Sequence, residues 1–270
     1  MTTRVAIVGA SGKLGSIVRA VVADEPGFEV CAELGSKSPL SEIDGADLVV
    51  DVSTPASSVD VVRAAVERGI PILVGTSGWS AERIALVRPL AEASGSPAVF
   101  IPNFSLGSVI GTALAAAAAP YFSSIEIVET HPSTKIDSPS GTAVRTAELM
   151  ADARGAAGPV EAPHVDQRAR GQQVSSIPIH SLRIQGVAAR QQVVFGAAGG
   201  TLTIARDPTT PAAAYAPGIS LALRETMRAS GVVVGLDSFL DIGLRVGGAR
   251  AGADVDEGAA EGQVGGAFPE

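Results

Sequence analysis

Over its first hundred residues the chain alternates short, mostly apolar runs with stretches in which apolar positions recur every three or four residues. The runs are RVAIV (4–8), EVCAEL (29–34), DLVVDVS (47–53), PILVG (71–75) and AVFIP (98–102), rich in Val and Ile. Runs this short with little polar alternation suit strands covered on both faces, as in a parallel sheet. SSVDVVRAAVERG and SAERIALVRPLAEAS lie between them with helical spacing, and Ser57 and Ser80 stand where N-caps belong. The repetition predicts a parallel sheet with helices on both sides.

After Asn103 the rhythm changes. SIEIVET (124–130) reads as a strand, followed by a helix and a polar, Gly/Pro-bearing stretch near 155–173. Three further strands are predicted at IPIHSLRI (177–184), RQQVVFG (190–196) and GTLTIAR (200–206), which makes this an α+β region and a second domain. PGISLALRETMRASG (217–231) returns to helical spacing, with GVVVGLDSFLDIG packing beside it. From Gly248 to Glu270 the chain is mostly Gly, Ala and acid, and a disordered tail is expected there.

Composition narrows the partners. With 46% hydrophobic and 18% charged residues the chain has the profile of a soluble globular protein, and 270 residues suffice for two modest cores. A net charge of −8 and a pI near 5.0 argue against a nucleic-acid partner. No apolar run approaches the roughly 18 residues of a membrane span. The N-terminus enters a strand at once without a signal-like segment, so the cytoplasm is the expected compartment. A single cysteine, Cys31, excludes an internal disulfide, and no Cys/His/Asp spacing suggests a metal site.

The first chemistry lies in GASGKLG, where Gly9, Gly12 and Gly15 follow the first strand and open a helix. Glycines there permit a tight turn and let backbone N–H groups approach a pyrophosphate, whose charge the helix N-terminus favours. Lys13 adds a cation. The bland alternative is a strand–helix turn and nothing more. An acid about 20 residues on normally binds the ribose 2′-hydroxyl. Glu33 fills that role, but Gly35, Ser36, Lys37 and Ser38 suit a 2′-phosphate, so both NADPH and NADH remain open as cofactor.

The second chemistry lies in THPSTKIDSPSGTA (130–143), where His131, Lys135 and a hydroxyl cluster meet at a strand–helix junction. Separately, His131 reads as a structural histidine, Lys135 as a solvated lysine and SPSGT as a helix cap. His180 reads as structural and His164 as exposed. Together with the Gly loop, GTSG (75–78) and IPNFSLG (101–107), however, the chain resembles the dihydrodipicolinate reductases over roughly residues 4–245. The resemblance implies an oxidoreductase that reduces 4-hydroxy-tetrahydrodipicolinate with NADPH or NADH in lysine and diaminopimelate biosynthesis. Its fold would be an N-terminal Rossmann-type domain (1–106 with 213–247) and an α+β domain with a mixed sheet (107–212) that builds a homotetramer.

By position, the resemblance assigns Gly9, Ala10, Ser11, Gly12, Lys13 and Leu14 to the pyrophosphate and adenosine side. Gly75, Thr76 and Ser77, with Ile101, Pro102, Asn103 and Phe104, fall near the nicotinamide and its ribose. His131 matches the proton donor and Lys135 the catalytic lysine, while Ser140, Gly141 and Thr142 match the grip on a substrate carboxylate. Chemically the set fits a small dicarboxylate cyclic imine: a lysine and a helix N-terminus bind carboxylates, and a histidine near its ordinary pKa quenches charge on the ring. The chain departs from the family at Pro132 (a second histidine), at Arg190 and Gln192 (histidine and glutamate), at Gly35 (the ribose acid), and by lacking an arginine near DPTTPAAAYAPG. These departures leave room for a paralogue acting on another cyclic imine or enamine carboxylate, or for a catalytically silent nucleotide-binding protein.

Overall fold

The structure, a computed structural model, describes residues 1–243; the tail expected from 248, and residues 244–247 of the first unit, lie outside them. The five N-terminal apolar runs form β1 (Thr3–Val8), β2 (Phe28–Leu34), β3 (Leu48–Asp51), β4 (Ile72–Val74) and β5 (Ala98–Phe100). Helices α1 (Lys13–Asp24), α2 (Ser58–Glu67) and α3 (Ala81–Ser94) follow β1, β3 and β4. The chain then leaves through α4 (Leu106–Ala118) and builds β6 (Ser124–His131), α5 (Gly141–Arg154), β7 (Gln172–Val174), β8 (Ile177–Arg183), β9 (Arg190–Ala197) and β10 (Gly200–Arg206). It returns through α6 (Pro211–Thr226) to β11 (Val232–Val234).

The first sheet is parallel throughout, in the order β2-β1-β3-β4-β5-β11. Its strands bury both phases. Val5 and Ile7 face α1 and α6, joining Val18, Val22, Ile219 and Leu223; Ala6 and Val8 face the other side, joining Val61, Ala65 and Ile84. At about 1.5–3 kcal/mol for each fully buried aliphatic side chain, this double burial explains why the strands read as continuous apolar runs. Strand order reverses between β1 and β3, and ligands of such sheets bind outside the strand ends at that point.

The second sheet is mixed, β10-β9-β6-β8-β7, with β6 and β8 parallel and the other pairs antiparallel. One face packs Ile125, Ile127, Ile179, Val193 and Phe195 against Ala115 of α4 and Ala143, Ala147 and Met150 of α5. Val128, Leu182 and Val194 fall on the alternate phase, facing away from these helices.

Three expectations are corrected. The helix expected at 217–231 runs Pro211–Thr226, because Thr210 caps it (Oγ1 accepts from Ala213 N at 3.1 Å) and Pro211 sits in the first turn. Pro217 lies inside that helix rather than opening it. The stretch 155–173 runs into a short strand, β7, on the sheet edge. Ser80 caps α3, but Ser57 makes no capping hydrogen bond, since its hydroxyl engages Ser53 and Thr54 in the preceding turn.

Candidate active site

The Gly loop sits at the strand-order reversal. Gly9 has φ +90°, and a Cβ there would lie 2.5 Å from Val52 O; one on Gly15 would lie 2.1 Å from Gly9 O. Loop and helix therefore approach more closely than any larger residue permits. Gly12 precedes α1, and the first-turn N–H groups at Lys13 and Leu14 have no intrahelical acceptor, which makes an anion site. Beside it opens a recess of about 220 Å³ lined by Ala10, Ser11, Ser16, Arg19, Glu33 and Gly35. Glu33 is thus placed where sequence spacing put it. Its partner is Arg19, 3.5 Å away, while the exposed Lys37 is not among the lining residues.

Of the other positions assigned to the nucleotide, Ala10, Ile101 and Phe104 carry side chains buried in the core, so only their backbone can face a cofactor. The Phe104 ring covers Gly75, where a Cβ would lie 2.5 Å from the ring. Asn103 is held at the start of α4, donating to Ser108 Oγ (2.9 Å) and accepting from Ser105 N (2.9 Å). Buried Thr76 donates to Asp51 O at 3.3 Å, and Ser77 and Pro102 are exposed. Asp51, fully buried at the end of β3, accepts from both the N–H and hydroxyl of Ser53 and from Ser58 Oγ. Ser58 in turn accepts from Trp79 Nε1 at 2.8 Å, which ties the loops after β3 and β4 together. The loop, the Glu33–Arg19 recess and these strand ends fit a dinucleotide.

The second cluster forms where β6 ends and α5 begins. His131 Nδ1 lies 2.5 Å from Glu129 Oε2, and Arg183 of β8 grips the same carboxylate with two nitrogens, at 2.8 and 3.0 Å. Ser140 N donates to Glu129 Oε1 at 3.3 Å, and Ser140 Oγ caps α5 by accepting from Ala143 N. The N–H groups of Gly141 and Thr142 stay open by helix geometry. Lys135 pairs with Asp137 at 2.7 Å, and Arg183 Nη2 donates to Asp137 O at 2.6 Å. Burial lowers the His131 pKa below 6.5 against the pull of Glu129, with Lys135 and Arg183 adding to the drop. Burial raises that of Glu129, but Arg183 and His131 outweigh it and hold the carboxyl below its ordinary value of 4.5.

His131, Lys135, Ser140, Gly141 and Thr142 therefore gather at one junction, as the sequence led one to expect. Glu129, Arg183, Arg19 and Asp51 were not singled out. A signal existed for Glu129: Ile125, Ile127 and Glu129 share one phase of β6, so an acid falls on the buried face. His180 Nε2 pairs with Glu126 at 2.7 Å, and His164 is exposed. Arg190 lies 3.8 Å from Asp207. Arg206 lines a small recess between β9, β10 and α4 with Gln191, Ser108 and Thr112; Arg206 Nε and Gln191 Oε1 are buried there without a partner.

A parallel dinucleotide sheet joined to a one-sided mixed sheet, with an imidazole, a lysine and an open helix end where β6 meets α5, defines a pyridine-nucleotide oxidoreductase. More narrowly, the chain belongs to the dihydrodipicolinate reductase family, whose N-terminal model matches residues 3–104 and whose C-terminal model matches 107–240. It is 55% identical over 98% of both chains to a protein of Clavibacter michiganensis subsp. michiganensis named 4-hydroxy-tetrahydrodipicolinate reductase. A Streptomyces coelicolor protein of the same name is 42% identical over 88% of this chain and 98% of its own. Among solved structures, a dipicolinate-bound dihydrodipicolinate reductase from Paenisporosarcina sp. TG-14 superposes with a TM-score of 0.78 at 28% identity, covering 89% of this chain and 100% of that one. An amine dehydrogenase from Mycobacterium smegmatis, at 12% identity and TM-score 0.59 over 88% and 96%, shares the fold alone.

Proposed function

We propose that the chain reduces 4-hydroxy-tetrahydrodipicolinate to tetrahydrodipicolinate with NADPH or NADH, His131 serving as proton donor. The observation that carries this reading is the junction of β6 and α5. There a carboxylate-anchored imidazole shares one lip with Lys135 and an open helix N-terminus, in a chain whose N-terminal part matches the dihydrodipicolinate reductase N-terminal model. Net, the substrate loses its hydroxyl as water and gains one hydride and one proton. A bound reduced nicotinamide supplies the hydride. Lys135 and the Gly141 and Thr142 N–H groups hold carboxylate, and His131 Nε2–H supplies the proton to the charge that develops on the ring. Glu33 would take the ribose hydroxyls and Arg19 a 2′-phosphate.

The test is nicotinamide oxidation with enzymatically generated substrate and each reduced cofactor. Turnover that requires the substrate is expected. Nucleotide binding without turnover would point to a silent binder instead. The altered rim bears on substrate range. With Pro132 offering no donor, Arg206 is the candidate second anchor, and a monocarboxylate imine belongs in the same assay.

A further inference from the structure

Glu129 has no exposed surface, yet four polar contacts from three elements converge on its two oxygens. We propose that Glu129, locked by Arg183, is the positioning residue of the site, which rests on the reading of His131 as proton donor. It fixes His131 with Nδ1 protonated, leaving Nε2 as the exchanging atom, and joins that ring to the Lys135 loop and the α5 N-terminus in one rigid unit.

An ionised carboxylate only accepts, so an imidazole nitrogen 2.5 Å away must carry its hydrogen there. The neutral tautomer is thereby set, and the proton to be transferred is the one that Nε2 carries in the imidazolium. Arg183 has two effects. Its fork keeps the buried carboxyl ionised, and the same guanidinium holds Asp137 O at 2.6 Å. Asp137 is the residue that pairs with Lys135, so the carboxylate grip extends to the substrate-holding loop. Ser140 N, the third anchor, fixes where α5 opens. The charged groups that act on His131 are Glu129 from its own strand, Arg183 from β8 and Lys135 from the following loop, whose partner is Asp137. Packed over them, α5 presents Ser140 and peptide N–H groups. Glu129 is therefore the one group in this set that raises the His131 pKa, against burial and two cations.

The experiment compares wild type, Glu129→Gln, Arg183→Lys and His131→Gln by the pH profile of kcat/KM. Imidazole NMR of the protein without cofactor gives tautomer and pKa independently of turnover. In wild type the neutral His131 ring should carry its proton on Nδ1. Glu129→Gln, which keeps an acceptor but removes the charge, should move the limb where activity falls with rising pH about one unit or more toward acid. Its kcat/KM near neutrality should drop by about 10²-fold, the contribution of a positioned acid. Arg183→Lys keeps the charge and loses the fork, so substrate KM should rise about tenfold with the limb nearly in place. A loss equal at every pH in Glu129→Gln, or a wild-type neutral ring protonated on Nε2, overturns the assignment, and an unchanged KM in Arg183→Lys removes Arg183 from it. If the Gln variant does not fold, the wild-type tautomer still decides. A limb that survives in His131→Gln instead refutes His131 as the acid; one that vanishes there but stays put in Glu129→Gln refutes only the positioning role.

Discussion

In the proposed reaction, individual side chains divide the labour between holding and reacting. His131→Gln and Lys135→Met are each expected to lower kcat by about 10²-fold or more, with nucleotide affinity by fluorescence titration unchanged, because both lie on the second sheet's side of the junction. Cofactor choice should turn on the Arg19–Glu33 pair. Both are about half exposed, so the effect is modest. Arg19→Ala should lower kcat/KM for NADPH about fivefold while sparing NADH, and Glu33→Ala the reverse, in parallel steady-state assays. Arg206→Ala should raise the KM for the dicarboxylate by one to two decades, the loss of one charge-assisted hydrogen bond of about 1.5–3 kcal/mol; an unchanged KM would remove it from the rim. The residues proposed to react were legible as a cluster because THPSTKIDSPSGTA puts them within a dozen positions. The holding residues were not, since Arg183 reaches Glu129 across a strand pairing that no local spacing displays. Arg19 was missed for the complementary reason: Lys37 is near Glu33 in sequence, while the cation that meets Glu33 in space comes from one helix earlier.

Elements were read well where one physical cause dominates. Strands buried on both faces announce themselves as apolar runs, and their burial in the parallel sheet follows. The α6 start was misplaced because proline at its seventh position outweighed, in the reading, a Thr-Pro pair that caps it properly. That helix also carries a tight contact. A Cβ on Gly218 would lie 1.9 Å from Phe104 O, so α6 touches the backbone of the loop that leads into α4. Helix propensity alone favours Gly218→Ala by about 1 kcal/mol. The clash is with main chain and cannot be relieved by a rotamer change, so it wins. The variant should lose about 1–3 kcal/mol net, seen as a Tm lower by several degrees in thermal melts, with a raised nicotinamide KM as Phe104 shifts off Gly75.

At the level of the whole molecule, the two sheets differ in how they are covered. The first is shielded on both sides, and the second carries α4 and α5 on one. Its other face presents Val128, Leu182 and Val194, the surface expected to join four copies. Val194→Arg should then yield a smaller species by sedimentation with cofactor binding intact; an unaltered assembly would place the interface elsewhere. The first sheet has a different dependence. Its last strand, β11, pairs with β5 only after the chain has made its excursion through the second sheet, and α6 arrives by the same route to cover Val5, Ile7, Val50 and Leu73. Sequence order and spatial order therefore disagree at the nucleotide site. On the ribosome, the Gly loop emerges well before α6, the layer that backs it. A nascent chain stopped before α6 would present β5 as a bare edge with one flank of the sheet wet. Nucleotide can then act as a folding ligand only once α6 and β11 have been made, when the second sheet is already present.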